Sequence, residues 1–230
     1  MQPLDRDYDS THAVRWSWTL NRISHLLGTL ESQSRLLALG TDGQFERQIN
    51  ATFPDIEIQI SDWDLRYEFP TETQSIDLVT AFEVIEHLKD RNGDIEDIAS
   101  HYFIGLMSFL CESNRSLKKD GHIILTTPNS SSYRSIASSV LGKSNYLYWP
   151  HVRELAPLEI EYFLKQSGFE VKVLETFSPY ADDISTTRKG RAAIKCARNF
   201  EKILHAIFRT NKSLLNLRGS TLIVIAQKKS

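Results

Sequence analysis

Glu83, Glu86 and His87 stand at i, i+3 and i+4 directly after the β-prone run Ile76-Asp77-Leu78-Val79-Thr80-Ala81-Phe82. If a helix starts where that strand stops, the three side chains share one face and converge at the carboxyl end of the strand. Acids in a first helical turn are also favourable simply because they face the positive end of the helix dipole. An imidazole titrates close to neutral pH, so His87 is a candidate general base, with Glu83 beside it. A second candidate is the remote His151 in Trp149-Pro150-His151-Val152-Arg153-Glu154, a histidine that can equally well cap a loop.

A second constellation lies upstream. The apolar run Leu36-Leu37-Ala38-Leu39 ends in Gly40-Thr41-Asp42-Gly43 and is followed by a helix-compatible Phe45-Glu46-Arg47-Gln48-Ile49. A glycine turn between a strand and a helix lets a ligand approach the backbone, and it also serves plain chain reversal. Asp62 follows Gly40 by 22 residues, at the end of the next alternating stretch, Ile56-Glu57-Ile58-Gln59-Ile60. That is close to the separation of about 20 residues at which an acid meets a ribose hydroxyl pair in dinucleotide folds. A carboxylate accepts from both hydroxyls at once.

The elements that must position these groups alternate. The near-helical spacing of Trp16, Trp18, Leu20, Ile23, Leu26 and Leu27 predicts a helix over 15–30, and strands are expected at 35–39, 56–60, 76–82, 122–127, 169–176 and 221–226. A helix over 109–117 is expected to stop at Lys118-Lys119-Asp120-Gly121 with the glycine left-handed. Another, opened by Pro157, is expected to end at Gly168. Strands alternating with helices argue for an α/β fold whose mostly parallel sheet is covered on both faces.

Composition narrows the classes. A chain of 230 residues with 41% apolar and 24% charged residues supports a globular core. Cys111 and Cys196, the two cysteines, have no metal or redox spacing, which fits a reducing, cytoplasmic setting. Neither a signal peptide nor a transmembrane run of about 18 apolar residues is visible. The net charge of −2 conceals an excess over 185–218, where nine Lys or Arg face one acid, Glu201. A partial apolar stripe of Ile194, Ala197, Ile203, Leu204, Ile207 and Phe208 runs through it. Such a segment is either a solvated face or, through 188–218, a contact for an anionic membrane surface, a phosphorylated or lipid-linked acceptor, or nucleic acid.

The succession LLALGTDGQF, an acidic strand end, SIDLVTAFEVIEHLKD, LKKDGHIILTTPN and LAPLEIEYFLKQSGFEV resembles the Rossmann-like, class I S-adenosylmethionine-dependent methyltransferases of bacterial stand-alone type, over residues 33–177. The resemblance implies a sheet of seven-stranded type with a reversed last strand and a helical insertion before it. It implies S-adenosylmethionine as cofactor, with Gly40, Thr41, Asp42 and Gly43 under its methionine and ribose parts, Asp62 on the ribose, Asp64 at the adenine amine and Phe82 near the methionine. The two acids can exchange roles. A single domain over 1–230 is expected, with an N-terminal helical segment (1–32), a cofactor-binding core (33–177), a basic helical insertion (178–219) and the last strand (220–230).

Two positions depart from the family pattern: Ala38 replaces the acid before the glycine turn, and the turn is poor in glycine. The 14-residue step from Asp62 to Ile76 also leaves no room for a usual strand and helix. Glu83, Glu86, His87 and His151 resemble, besides, the set that holds a divalent ion in O-methyltransferases of quinone and RNA-end type. The activity implied is methyl transfer to oxygen, or nitrogen, of a small-molecule or glycan-type acceptor, with His87, His151 and Glu83 as catalytic candidates and Tyr133, Tyr146, Tyr148 and Trp149 as pocket walls. An RNA methyltransferase using the basic insertion and a non-catalytic cofactor-binding scaffold are the alternatives. A nicotinamide dehydrogenase is disfavoured by the lack of a full GxGxxG turn.

Overall fold

The computed structural model describes residues 8–30, 33–40, 43–90, 104–144, 146, 151–178, 186–208 and 216–229. Numbered in chain order, the described elements are α1 (Tyr8–Gly28), β1 (Arg35–Ala38), α2 (Gln44–Thr52), β2 (Glu57–Ile60), β3 (Ile76–Phe82), a 3₁₀ turn (Ile85–His87), α3 (Ile104–Ser116), β4 (Leu117–Pro128), α4 (Tyr133–Val140), α5 (Pro157–Gln166), β5 (Phe169–Phe177), α6 (Arg188–Phe208) and β6 (Thr221–Lys228).

Six strands form one sheet in the order β2-β1-β3-β4-β6-β5. The first four are parallel, and β6 runs antiparallel to both β4 and β5. The reversed last strand is as expected, whereas the sheet has six strands among the described residues rather than the seven-stranded type. Residues 61–75 contain no strand or helix, in keeping with the short step from Asp62 to Ile76.

Alternation along the strands divides the core into two layers. Leu36, Ala38, Leu78, Ile124 and Ile223 pack with Trp16, Ile23 and Leu27 of α1 and Phe45 and Ile49 of α2. Leu37, Val79, Ile123 and Val224 face the opposite way, onto Phe109 and Leu110 of α3 and Ile160 and Leu164 of α5. Parallel strands buried on both faces need such continuous apolar runs.

One turn differs from the expectation. β4 starts at Leu117, five residues early, and its register against β3 shifts between Ile76 and Leu78. Asp120, not Gly121, is left-handed there (φ 63°). Gly121 answers a steric demand: a Cβ on it would lie 3.0 Å from the Leu117 side chain and 3.1 Å from the Asp77 carbonyl oxygen. Gly168 (φ 85°) does act as the expected stop after α5.

Candidate active site

Chain direction diverges at the carboxyl ends of β1 and β3, since β1 continues through α2 to β2 on one side while β3 leads to β4 on the other. Ligands of open α/β sheets settle in the crevice at such a point. Gly40 (φ 65°) and Gly43 (φ 84°) lie on its rim. A Cβ on Gly40 would sit 2.9 Å from both methyl carbons of Val84, so backbone angle and packing both require glycine. Its N–H donates to Ser61 Oγ at 2.9 Å, and the Ser61 N–H donates to the Ala38 carbonyl at 2.9 Å. These two bonds bring the end of β2 against the turn and leave Asp62 exposed beside it.

Asp64 is differently employed. Its carboxylate accepts from the Arg66 backbone N–H at 3.0 Å, from Nε at 2.9 Å and from Nη2 at 2.7 Å. That hydrogen bond raises the Arg66 guanidinium above its ordinary value. Phe82 ends β3 half-buried, its ring edge-on to Phe45 at 4.6 Å. Ala38 is wholly buried. Thr41, Asp42, Tyr148 and Trp149 lie outside the described residues.

The segment after β3 does not form the helix face expected for Glu83, Glu86 and His87. Glu83 is left-handed (φ 58°), only one 3₁₀ turn follows, and Leu88 is already extended. A 3₁₀ turn has 3 residues per turn, so no α-helical face is shared. Glu83 is drawn away to the buried Arg15 of α1, 3.4 Å from Nη1. The turn closes because Val84 and Ile85 are buried in the core.

Glu86, His87 and His151 do meet: each offers a ligand atom, and these lie within 4.8 Å of one another. The loop carrying His151 is fastened to the turn, since the Glu86 carbonyl accepts from the N–H groups of Val152 (2.8 Å) and Arg153 (3.2 Å). The two imidazoles stand edge to face with centroids 4.7 Å apart. Glu86 is 1% exposed; its Oε2 accepts from the Thr127 hydroxyl at 2.9 Å, and its Oε1 lies 4.0 Å from His151 Nε2. Burial, reinforced by Glu83, holds this carboxyl well above the ordinary carboxylate range. Burial, and then the neighbouring His151, lowers the His87 imidazole, which favours its neutral form near pH 7.

Sequence reasoning missed Glu154. It is buried, and its Oε1 lies 2.7 Å from His151 Nδ1. A carboxylate there fixes the ring and leaves Nε2 facing Glu86. The signal was the i, i+3 spacing of His151 and Glu154, which is uninformative until the loop is known to be buried. Asn129, the last residue of LKKDGHIILTTPN, donates from its amide to the carbonyls of Leu217 (3.0 Å) and Gly219 (2.8 Å), tying β4 to the approach of β6. Tyr133, expected as a pocket wall, sits where α4 meets α6, with the Arg198 guanidinium over its ring at 5.2 Å.

No family model matches the chain. It is 28% identical over 138 residues to a probable S-adenosylmethionine-dependent methyltransferase of Mycolicibacterium smegmatis, an alignment covering 60% of this chain. The chain spans 44% of the length of that relative. A SAM-dependent methyltransferase structure from Archaeoglobus fulgidus superposes with a TM-score of 0.58 at 16% identity, covering 97% of this chain and 100% of the other. Phosphoethanolamine N-methyltransferase 2 of Haemonchus contortus, in complex with phosphomonomethylethanolamine and S-adenosylhomocysteine, gives 0.53 at 16% identity, covering 99% and 60%. The chain has the Rossmann-like fold of the class I S-adenosylmethionine-dependent methyltransferases.

Proposed function

We propose that this chain binds S-adenosylmethionine in the crevice between the ends of β1 and β3 and transfers its methyl group to an oxygen, or a nitrogen, of a small-molecule or glycan-type acceptor. The observation that carries this reading is the contact of Val84 with Gly40. That contact holds the start of the 3₁₀ turn against the glycine turn, which supports a reading in which cofactor and proton acceptor share one rim.

Asp62, exposed at the end of β2, serves as acceptor for the ribose hydroxyls, because the Asp64 carboxylate is engaged by Arg66. Gly40 and Gly43 allow the methionine part to lie against the backbone, and Phe82 borders it. The sulfonium is already an activated donor, so the protein contributes position and proton removal. The acceptor lone pair forms the new bond to the methyl carbon as the carbon–sulfur bond breaks, and that pair returns to sulfur as a neutral thioether. The proton goes to His87, whose lowered pKa leaves it neutral, or to Nε2 of His151, held ready by Glu154 at Nδ1.

Glu86, His87 and His151 also fit a divalent cation. Mixed carboxylate and imidazole donors suit several such metals, and Glu86 Oε1 makes no hydrogen bond among the described residues. An ion held there would lower the pKa of an acceptor hydroxyl. Glu83 stands outside that set, in its pair with Arg15.

Calorimetric titration with S-adenosylmethionine and, separately, NADH tests the reading. The sulfonium cofactor is expected to bind, NADH is not, and Asp62→Ala is expected to weaken binding about tenfold or more, in line with loss of a charge-assisted hydrogen bond. Absence of S-adenosylmethionine binding by the unaltered chain overturns the proposal.

A further inference from the structure

The solvent side of α6 carries an apolar ridge and a basic row, the latter touching the rest of the described fold where Arg198 lies over the Tyr133 ring and Arg191 donates to the Thr186 carbonyl. Phe200, Ile203 and Ile207, at i, i+3 and i+7, form an apolar ridge and are 62%, 55% and 65% exposed. Arg188, Arg191, Lys195, Arg198 and Lys202 recur every three or four residues and form a basic row, all of them exposed. Over those 14 residues the row is about 21 Å long at 1.5 Å per residue. The third side faces inward: Gly190 is buried, and Ile194, Ala197 and Leu204 are half-buried. Glu201, the acid of this helix, turns inward too, accepting from Arg218 Nε at 2.7 Å.

We infer that this flank of α6 docks in the plane of an anionic lipid bilayer. An apolar ridge of Phe and Ile next to long basic side chains suits a surface that is hydrocarbon below and uniformly negative at its rim, because Lys and Arg lay their stems on the apolar layer and keep their charges at the headgroups. A second copy of this chain would set one basic row against another, an unfavourable pairing with no exposed acid on the helix to relieve it. A nucleic acid would use the basic row and gain nothing from the ridge. None of the described helices is long and apolar enough to cross a membrane, so the contact lies on the surface.

The helix is also held at the relevant edge of the molecule. Arg218, which pairs with Glu201, donates from Nη1 to the Ser131 carbonyl at 2.8 Å, just past the carboxyl end of β4. The crevice opens on that same edge. If methyl transfer takes place there, docking brings an acceptor embedded in or linked to the bilayer to the site; this consequence rests on the proposed function, whereas the docking does not.

Flotation of the whole chain with vesicles of phosphatidylcholine alone, and of phosphatidylcholine mixed with phosphatidylglycerol, tests it, with S-adenosylmethionine titrated alongside. The chain is expected to float with the mixed vesicles and not with the neutral ones. Joint replacement Phe200→Ser, Ile203→Ser and Ile207→Ser is expected to weaken flotation more than about tenfold. Lys195→Gln and Lys202→Gln are expected to cost about fivefold each. All three variants change exposed side chains, and unchanged thermal midpoints verify that they fold. Failure to float, or flotation unaffected by the triple replacement, overturns the inference. So does a single-stranded RNA oligomer that displaces the vesicles equally well from both forms, or a dimer in sedimentation that the triple replacement dissociates. Loss of cofactor binding with flotation retained would count against the proposed function alone.

Discussion

Glu86 brings a carboxylate into surroundings that satisfy one of its oxygens and leave the other facing an imidazole. Burial raises its pKa, and the sign of the consequence is definite. An acid with a raised folded-state pKa favours folding while it is protonated, below the ordinary Glu value of about 4.3. That stability is lost as pH rises through the folded-state value. Glu86→Gln removes the cost, so in chelator the variant is expected to melt higher than the unaltered chain at neutral and alkaline pH, by about 2–4 °C per kcal/mol, with the gap closing in acid. If Glu86, His87 and His151 hold a divalent ion, manganese raises the melting temperature of the unaltered chain increasingly with pH, as the proton leaves Glu86, and does not raise that of the Gln variant. Equal shifts in both would show that the ion does not sit at Glu86. Such a competition between proton and metal is invisible in the sequence, because burial of Glu86 depends on Thr127 arriving from another strand.

At the scale of elements, α1 is fastened to the sheet through its middle turns. Arg15 meets Glu83 just past β3, while Trp18 stacks on Phe177 with centroids 3.9 Å apart and Arg22 pairs with Glu175 of β5. Arg15 is 3% exposed, and a buried charge deprived of its partner is expensive. Glu83→Gln is therefore expected to destabilise by about 3 kcal/mol, and Arg15→Met in the same chain to recover part of that loss, as a double-mutant cycle on denaturant midpoints would measure. Additive losses would mean that the pair is not coupled. These contacts mark what sequence reading could and could not reach. The strands and most helices followed from local periodicity, and the glycine turn with Asp62 followed from spacing. By contrast α4 was not anticipated: three of its eight residues are serines, which favour caps and turns over helix interiors, and its start depends on Ser132 Oγ accepting from the Ser135 N–H. The early start of β4 and the departure of Glu83 from the cluster were hidden for the same reason, since each is decided by a partner far along the chain.

Across the whole molecule, burial is deepest where the sheet reverses direction. Residues 222–226 of β6 are buried on both faces between β4 and β5, as are residues 123–126 of β4. β2 forms one edge and buries none of its four residues fully. Amides at the centre can exchange only when most of the fold opens, whereas edge amides need no more than local opening. Hydrogen exchange followed by mass spectrometry is therefore expected to show 123–126 and 222–226 exchanging last and 57–60 early among the strands. Cofactor binding would then extend protection outward in a particular direction. The N–H of Gly40 bonds to Ser61 and that of Leu39 to the Thr80 carbonyl, so a ligand pinned between the turn and Asp62 makes opening of 39–40 and 61–63 costlier. α6 touches none of these groups within the described contacts, so S-adenosylmethionine is expected to leave 188–208 exchanging as before. Anionic vesicles should have the reverse effect, slowing 188–208 and sparing the turn. Protection of both regions by either ligand alone would mean that the crevice and the basic helix are one cooperative unit, and the separation of cofactor binding from surface docking would have to be abandoned.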